Sequence, residues 1–100
     1  MVQTNYENNI LIAKLHGEID HHRAPSIRKK IDAKAEALRP SELHLDFSGV
    51  SFMDSSGIGL IMGRYRQMLL TGGKLKVINI PQNLEKIIKL SGIDSLGVLK

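Results

Sequence analysis

Three apolar runs of strand length lie along the chain, and the stretches between them carry apolar residues at helical spacing. That alternation constrains the fold more than any other feature. Ile10-Leu11-Ile12-Ala13-Lys14-Leu15 is rich in β-branched residues, and Leu11, Ala13 and Leu15 share one face of a strand. Leu43-His44-Leu45-Asp46-Phe47 turns Leu43, Leu45 and Phe47 one way, and Lys74 to Ile78 does the same with Leu75 and Val77. Between the first two runs, Ile27, Ile31, Ala35 and Leu38 follow Pro25 at helical spacing. Proline suits the first turn of a helix, and Arg39-Pro40 ends it. A strand, a helix and a further strand of the same sheet imply parallel pairing through a right-handed crossover.

The remaining elements extend this core. Gln3 to Glu7 reads as an edge strand, joined to the next by a turn at Asn8-Asn9. Gly17 to His22 reads as a polar connection, and Ser48-Gly49 as a turn after which Phe52 and Met53 lead back to the core. Ser55 to Leu70 is predicted as a second helix with a stripe of Ile58, Ile61, Met62, Tyr65, Met68 and Leu69. Arg64, Arg66 and Gln67 fall mostly off that stripe, and Thr71-Gly72-Gly73 stops the helix. A third helix starts at Asn79 or Pro81, with Leu84, Ile87, Ile88 and Leu90 as its stripe and Gly92 just past its end. A short last strand is expected over Leu96 to Leu99. The expectation is a single α/β domain over residues 1–100, a mixed sheet with helices mainly on one face, in the order β-β-α-β-α-β-α-β.

Composition removes several functional classes. A chain of 100 residues builds one core but hardly an enclosed substrate chamber. It has no cysteine, which excludes disulfides, cysteine zinc sites and thiol nucleophiles and fits a reducing cytoplasm. The start, MVQTNYENN, does not read as a signal peptide, and no apolar run approaches the ~18 residues of a membrane span, so a cytoplasmic location is expected. The net charge of +4 favours solubility, and the Arg28-Lys29-Lys30 cluster reads as a solvated helix face rather than a nucleic-acid footprint.

The chemistry concentrates at Met53-Asp54-Ser55-Ser56-Gly57-Ile58-Gly59, where a strand gives way to a helix. Asp54 or Ser55 can cap the helix, whose first N–H groups lack intrahelical partners. Ser56 and Gly57 are small and keep the first turn accessible. Gly59 and Gly63, four apart inside the helix, suggest close packing against a neighbour, since each costs up to ~1 kcal/mol relative to alanine. A phosphoryl group on an accessible serine here would meet free N–H groups at the positive end of the helix dipole. Asp54 next to it is already negative, so the local potential would change sharply. No Walker A motif is present, Gly57-x-Gly59-x-x-x-Gly63 misses the dinucleotide spacing by one residue, and no G-x-S-x-G elbow occurs. Asp20-His21-His22 lacks the i,i+4 spacing of a helical metal pair and reads as a capping aspartate with surface histidines. A Ser-His-Asp set of Ser55, His21 or His22 and Asp46 stays open, as does a metal site that adds Asp46 or Asp54 to this fragment.

The run from Leu45 through Gly59, continuing to Gly63-Arg64-Tyr65, resembles the STAS-type anti-anti-sigma factors of spore-forming bacteria, as do Gly17-Glu18-Ile19-Asp20-His21-His22 and Ser91-Gly92-Ile93. Such proteins carry a further helix after the last strand, whereas this sequence ends at Lys100. The resemblance implies a non-enzymatic, monomeric regulator without cofactor or metal. Its unphosphorylated form binds an anti-sigma factor that is also a serine kinase and releases the sigma factor. The kinase phosphorylates the first serine of the DSSG motif, Ser55 here, and a PP2C-type phosphatase restores the active form. Asp20, His21, His22, Asp54, Ser56 and Gly57 fall at or beside the implied partner surface, with Gly57 leaving room for the kinase. The alternatives are a regulator of another sigma factor or of a non-sigma output, and a small phosphate-binding enzyme.

Overall fold

The computed structural model describes residues 1–99. Strands β1 (Val2–Glu7), β2 (Ile10–Ile19), β3 (Glu42–Met53) and β4 (Lys74–Ile78) form one sheet in chain order. Helices α1 (Ala24–Leu38), α2 (Ser55–Leu70) and α3 (Gln82–Leu90) connect or follow them. β1 and β2 form an antiparallel hairpin, turned by Asn8 and Asn9 at φ 53° and 67°. Both values are left-handed, which matches the right-handed twist of the paired strands. β2, β3 and β4 are parallel, as the two helical crossovers require.

Period-two alternation decides which side of the sheet is covered. Leu11, Ala13 and Leu15 of β2, Leu43, Leu45 and Phe47 of β3, and Leu75 and Val77 of β4 are all buried. They join Ile27 and Ile31 of α1, Leu60, Ile61 and Met68 of α2, and Leu84 and Ile88 of α3 in one cluster. The other face carries Lys14, His44, Asp46 and Lys76, which tolerate water. There Glu42 accepts from His44 Nε2 at 2.8 Å and lies 3.6 Å from Lys76 Nζ. The His44 hydrogen bond, opposed by partial desolvation and supported by Lys76, holds the Glu42 carboxyl below its usual range.

Four details differ from the expectation. β2 runs on through Gly17 to Ile19, and β3 runs through Ser48-Gly49, where a connection and a turn were expected. β3 absorbs two extra residues relative to β2, with the register jumping between Lys14 and His16 and again between Gly17 and Glu18. Such bulges keep two strands paired where strict alternation fails. The expected last strand is absent as a strand: Ile93–Leu96 is a 3₁₀ turn between Gly92 and Gly97, both at positive φ, and Leu99 makes one parallel bridge to Val77. On α2 the buried side is Gly57, Leu60, Ile61, Arg64 and Met68, whereas Leu69 is 57% exposed. The apolar stripe is therefore rotated, and it includes an arginine that was expected off it. On α3, Leu90 is exposed while Leu84 and Ile88 are buried, because Leu90 lies about 200° around the helix from Ile88, off the i,i+4 row that faces the core.

Candidate functional site: the strand ends and the start of α2

Parallel pairing brings the carboxyl ends of β2 and β3 together. Ile19 stands opposite Met53, and the Asp54 N–H donates to the Ile19 carbonyl at 3.1 Å. The loop that begins at Asp20 and the helix that begins at Ser55 therefore leave the same edge of the sheet. Sites of open α/β sheets lie at this end of their strands.

Asp54 is extended at φ −102° and caps α2. Its Oδ1 accepts the Ser56 N–H at 2.8 Å, and its backbone carbonyl accepts the Gly57 N–H at 3.0 Å. Its Oδ2 lies 4.0 Å from His21 Nδ1. Ser55, the first helical residue, is exposed; Ser56 is half-buried and Gly57 is buried. Two N–H groups expected to be free for a phosphoryl group are thus already engaged by Asp54. Added charge at Ser55 would stand against the Asp54 carboxylate and face outward.

Asp20 is tied into the start of α1. Its Oδ1 accepts the His22 and Arg23 N–H groups at 3.1 and 3.0 Å, and its Oδ2 pairs with Arg23 Nη1 at 2.7 Å. Arg23 also reaches Glu18 at 3.4 Å. Desolvation pushes the Asp20 carboxyl up, but the two N–H groups and the Arg23 guanidinium outweigh it and hold the group below its usual range. Most of this carboxylate is turned inward, while His21 and His22 stay exposed with ring centroids 4.1 Å apart. A cleft of about 280 Å³ opens between α1 and α2 beside them, lined in part by His21, Arg28, Ser56 and Gly59.

Carboxyl groups held low in the folded state stabilise it above their unfolded range, and that stability is lost as pH falls through the folded values. Asp20, Glu42 and Asp46 are all of this kind; at Asp46, desolvation is outweighed by hydrogen bonds from Ser48 and Asn79 and by Lys14. Thermal midpoints are expected to be level near neutrality and to drop as pH falls through and below the ordinary carboxylate range. Asp20→Asn should flatten part of that drop; an unchanged profile would mean the loop contributes no pH dependence.

Two glycines of α2 carry opposite expectations. A Cβ on Gly57 would lie 2.1 Å from Met53 Cγ and 2.3 Å from Met53 Sδ, so close packing under a buried side chain requires this glycine. Gly59 and Gly63 have no such neighbour: nothing lies within 4 Å of a Cβ built on either, which corrects the close-packing expectation. Gly57→Ala is expected to destabilise by about 1–3 kcal/mol through overpacking. Gly59→Ala is expected to stabilise by about 0.5–1 kcal/mol, since alanine loses less freedom in a helix. Urea denaturation of the pair checks both signs.

The resemblance implied a common surface for the Asp20 loop and the start of α2, and in the structure Asp54, Ser55, His21 and His22 lie at the same end of the sheet. Sequence reasoning missed three residues. Arg64 is 5% exposed and lies 3.0 Å from Asp32 Oδ1 of α1, with its Nε not aligned for a hydrogen bond. Its signal was the i,i+4 row Leu60, Arg64, Met68. Arg23 organises Glu18 and Asp20, for which one sequence carries no signal. Phe52 is half exposed where it was expected to turn toward the core. Asp46 is bonded to the Ser48 N–H at 2.9 Å on β3, and the carboxylate beside His21 is Asp54, so the Ser-His-Asp set with Asp46 does not assemble around that histidine. Among the described residues, no group of three or more His, Cys, Asp or Glu comes together as a metal site.

The geometry defines a class of protein: a one-sided α/β sheet that presents an exposed hydroxyl at a capped helix start. Residues 1–99 match the STAS domain family, and the chain belongs to it. It is 35% identical over 83 residues to the anti-sigma F factor antagonist of Lysinibacillus sphaericus, covering 83% of this chain and 71% of that one. It is 32% identical over 90 residues to the anti-sigma-B factor antagonist of Bacillus subtilis, covering 90% and 80%. The structure of the anti-sigma factor antagonist SpoIIAA in its unphosphorylated form superposes with a TM-score of 0.86 at 29% identity, over 100% of this chain and 86% of that one. The phosphorylated form of the Bacillus cell fate determinant SpoIIAA does so with a TM-score of 0.78 at the same 29% identity, over 100% and 89%.

Proposed function

We propose that this protein is a cytoplasmic anti-sigma factor antagonist switched by phosphorylation of Ser55. The unphosphorylated form binds an anti-sigma factor with serine kinase activity, and the sigma factor is released. The observation that carries this reading is Ser55 itself: an exposed hydroxyl on the first residue of α2, beside a capping aspartate, in a STAS chain related to named antagonists.

In this mechanism the γ-phosphoryl group of ATP passes to Ser55 Oγ, the hydroxyl proton leaves to the kinase's base, and ADP departs. The kinase supplies nucleotide, metal ion and base, so the substrate chain need only present its hydroxyl. The greater exposure of Ser55, beside a half-buried Ser56, supports Ser55 as the acceptor. The product carries about −1.5 to −2 charges, close to the Asp54 carboxylate and the exposed His21-His22 loop. Repulsion and desolvation at that surface weaken binding. A PP2C-type phosphatase resets the switch: water attacks the phosphorus, the bond to Ser55 Oγ breaks, inorganic phosphate leaves and Oγ regains its proton.

The reading is tested by intact mass after incubation with ATP and purified anti-sigma F factor. One added phosphate, lost in Ser55→Ala, is expected. Phosphate retained by Ser55→Ala would overturn the acceptor assignment. A second reading, control of a sigma-B-type output, is favoured by the 32% identity to the Bacillus subtilis anti-sigma-B factor antagonist. Parallel incubation with the anti-sigma-B factor separates the two.

A further inference from the structure

Strict alternation along β3 would bury every second residue, yet the buried positions run Leu43, Leu45, Phe47, Val50, Met53. The two bulges account for the steps of three. Gly17 pairs with Val50 and Glu18 with Phe52, which leaves Ser51 as an extra residue in β3. Without that extra residue, Phe52 would share the face of Val50, which is 3% exposed; with it, Phe52 is 50% exposed and Met53 takes the inward place. Bulges of this kind re-aim a side chain, and they recur beside functional sites. The reoriented residue is a phenyl ring, which has no polar group to satisfy in water, and it lies three positions before Ser55 on the same strand-to-helix joint. Its surroundings are built rather than loose. Asp54 N–H is bonded to Ile19, and Asn83 of α3 reaches the Ser51 carbonyl at 3.5 Å.

We infer that Phe52 is an apolar anchor for the anti-sigma factor, exposed three positions before Ser55 on the joint between β3 and α2. This rests on the function proposed above, because the occupant is the protein that must approach Ser55. Aromatic side chains dominate the binding energy of interfaces when a partner pocket desolvates them. Phe52 supplies that apolar centre; it stands opposite Glu18 of β2 and two positions before Asp54, so charged groups flank it along both strands. The anchor is unchanged by phosphorylation of its neighbour, so it sets recognition while Ser55 sets the switch.

The test compares the parent with Phe52→Ala and Phe52→Tyr, using purified anti-sigma F and anti-sigma-B factors. Phe52→Ala is expected to weaken binding by calorimetry tenfold or more and to raise KM for phosphorylation of Ser55 with little change in kcat. Phe52→Tyr is expected to restore most of the affinity, and both variants should keep the parent's circular dichroism and melting behaviour. Phosphorylation and binding of Phe52→Ala at the parent's level would overturn the anchor while leaving the Ser55 switch standing. A parent that binds neither factor overturns both readings. Self-association of the parent in sedimentation, abolished by Phe52→Ala, would assign the ring to a second copy of the chain and overturn the proposal.

Discussion

Ser55→Asp is expected to weaken binding to the anti-sigma factor by about thirtyfold or more, whereas Ser55→Ala should stay within about threefold of the parent. Burying an uncompensated charge at an interface costs about 2 kcal/mol or more, and each 1.4 kcal/mol is tenfold in affinity. The local geometry favours the larger effect. Asp54 already holds the Ser56 and Gly57 N–H groups, so a second carboxylate finds few donors of its own chain. Alanine removes a hydroxyl from an exposed position and adds no charge. Titration calorimetry with the nucleotide-bound anti-sigma factor separates the variants, and equal dissociation constants for parent and Ser55→Asp would refute a charge-driven switch.

The second large effect concerns stability. Asp32→Ala is expected to destabilise the fold by about 2 kcal/mol, and Arg64→Met to leave it within about 1 kcal/mol of the parent. Removing one member of a buried ion pair leaves the other charge uncompensated, while an apolar replacement of similar shape removes that requirement. The guanidinium of Arg64 is 5% exposed, with Nε and Nη1 lacking hydrogen-bond partners and the Asp32 carboxylate 3.0 Å away. Burial lowers the Arg64 pKa; Asp32 opposes that shift and Arg28 adds to it. The Asp32 side chain is 30% exposed, so the expected loss is set below that for a fully buried pair. In a domain of this size, 2 kcal/mol lowers the thermal midpoint by about 10 °C. The double variant should recover most of the loss in urea denaturation. An Asp32→Ala protein as stable as its parent would show that the pair does not hold α1 to α2. That contact is functionally placed, because the two helices start at the Asp20 loop and at Ser55.

Much of the architecture was legible because its signals are local. Leu11, Ala13 and Leu15 announce a one-sided strand by alternation, and Ile27 and Ile31 announce a helix by period. Asn8-Asn9 announces the hairpin through its tolerance of positive φ. The site was legible for the same reason: Asp54 is a capping residue at a strand-to-helix joint, and the family motif lies across it. Gly57 was read as room for a kinase, but the backbone passes so close to Met53 that its first requirement is packing. Arg64 was placed outside the core by its charge, although its spacing from Leu60 and Met68 put it inside.

The sequence by itself therefore determined the order of elements, the covered face of the sheet and the identity of the hydroxyl-bearing joint, since each depends on neighbours within a turn or a strand. Only the tertiary structure decided the rest. The register between β2 and β3, with its two extra residues, turned Phe52 outward and carried β3 to the edge where Ile19 and Asp54 meet. The 3₁₀ turn at Ile93–Leu96 replaced most of a last strand by burying Ile93 and Val98 against the core and leaving one bridge at Leu99. Bulges, cross-helix ion pairs and a chain end's docking all depend on residues far apart in sequence. Their energies exist only once the sheet has closed around one core.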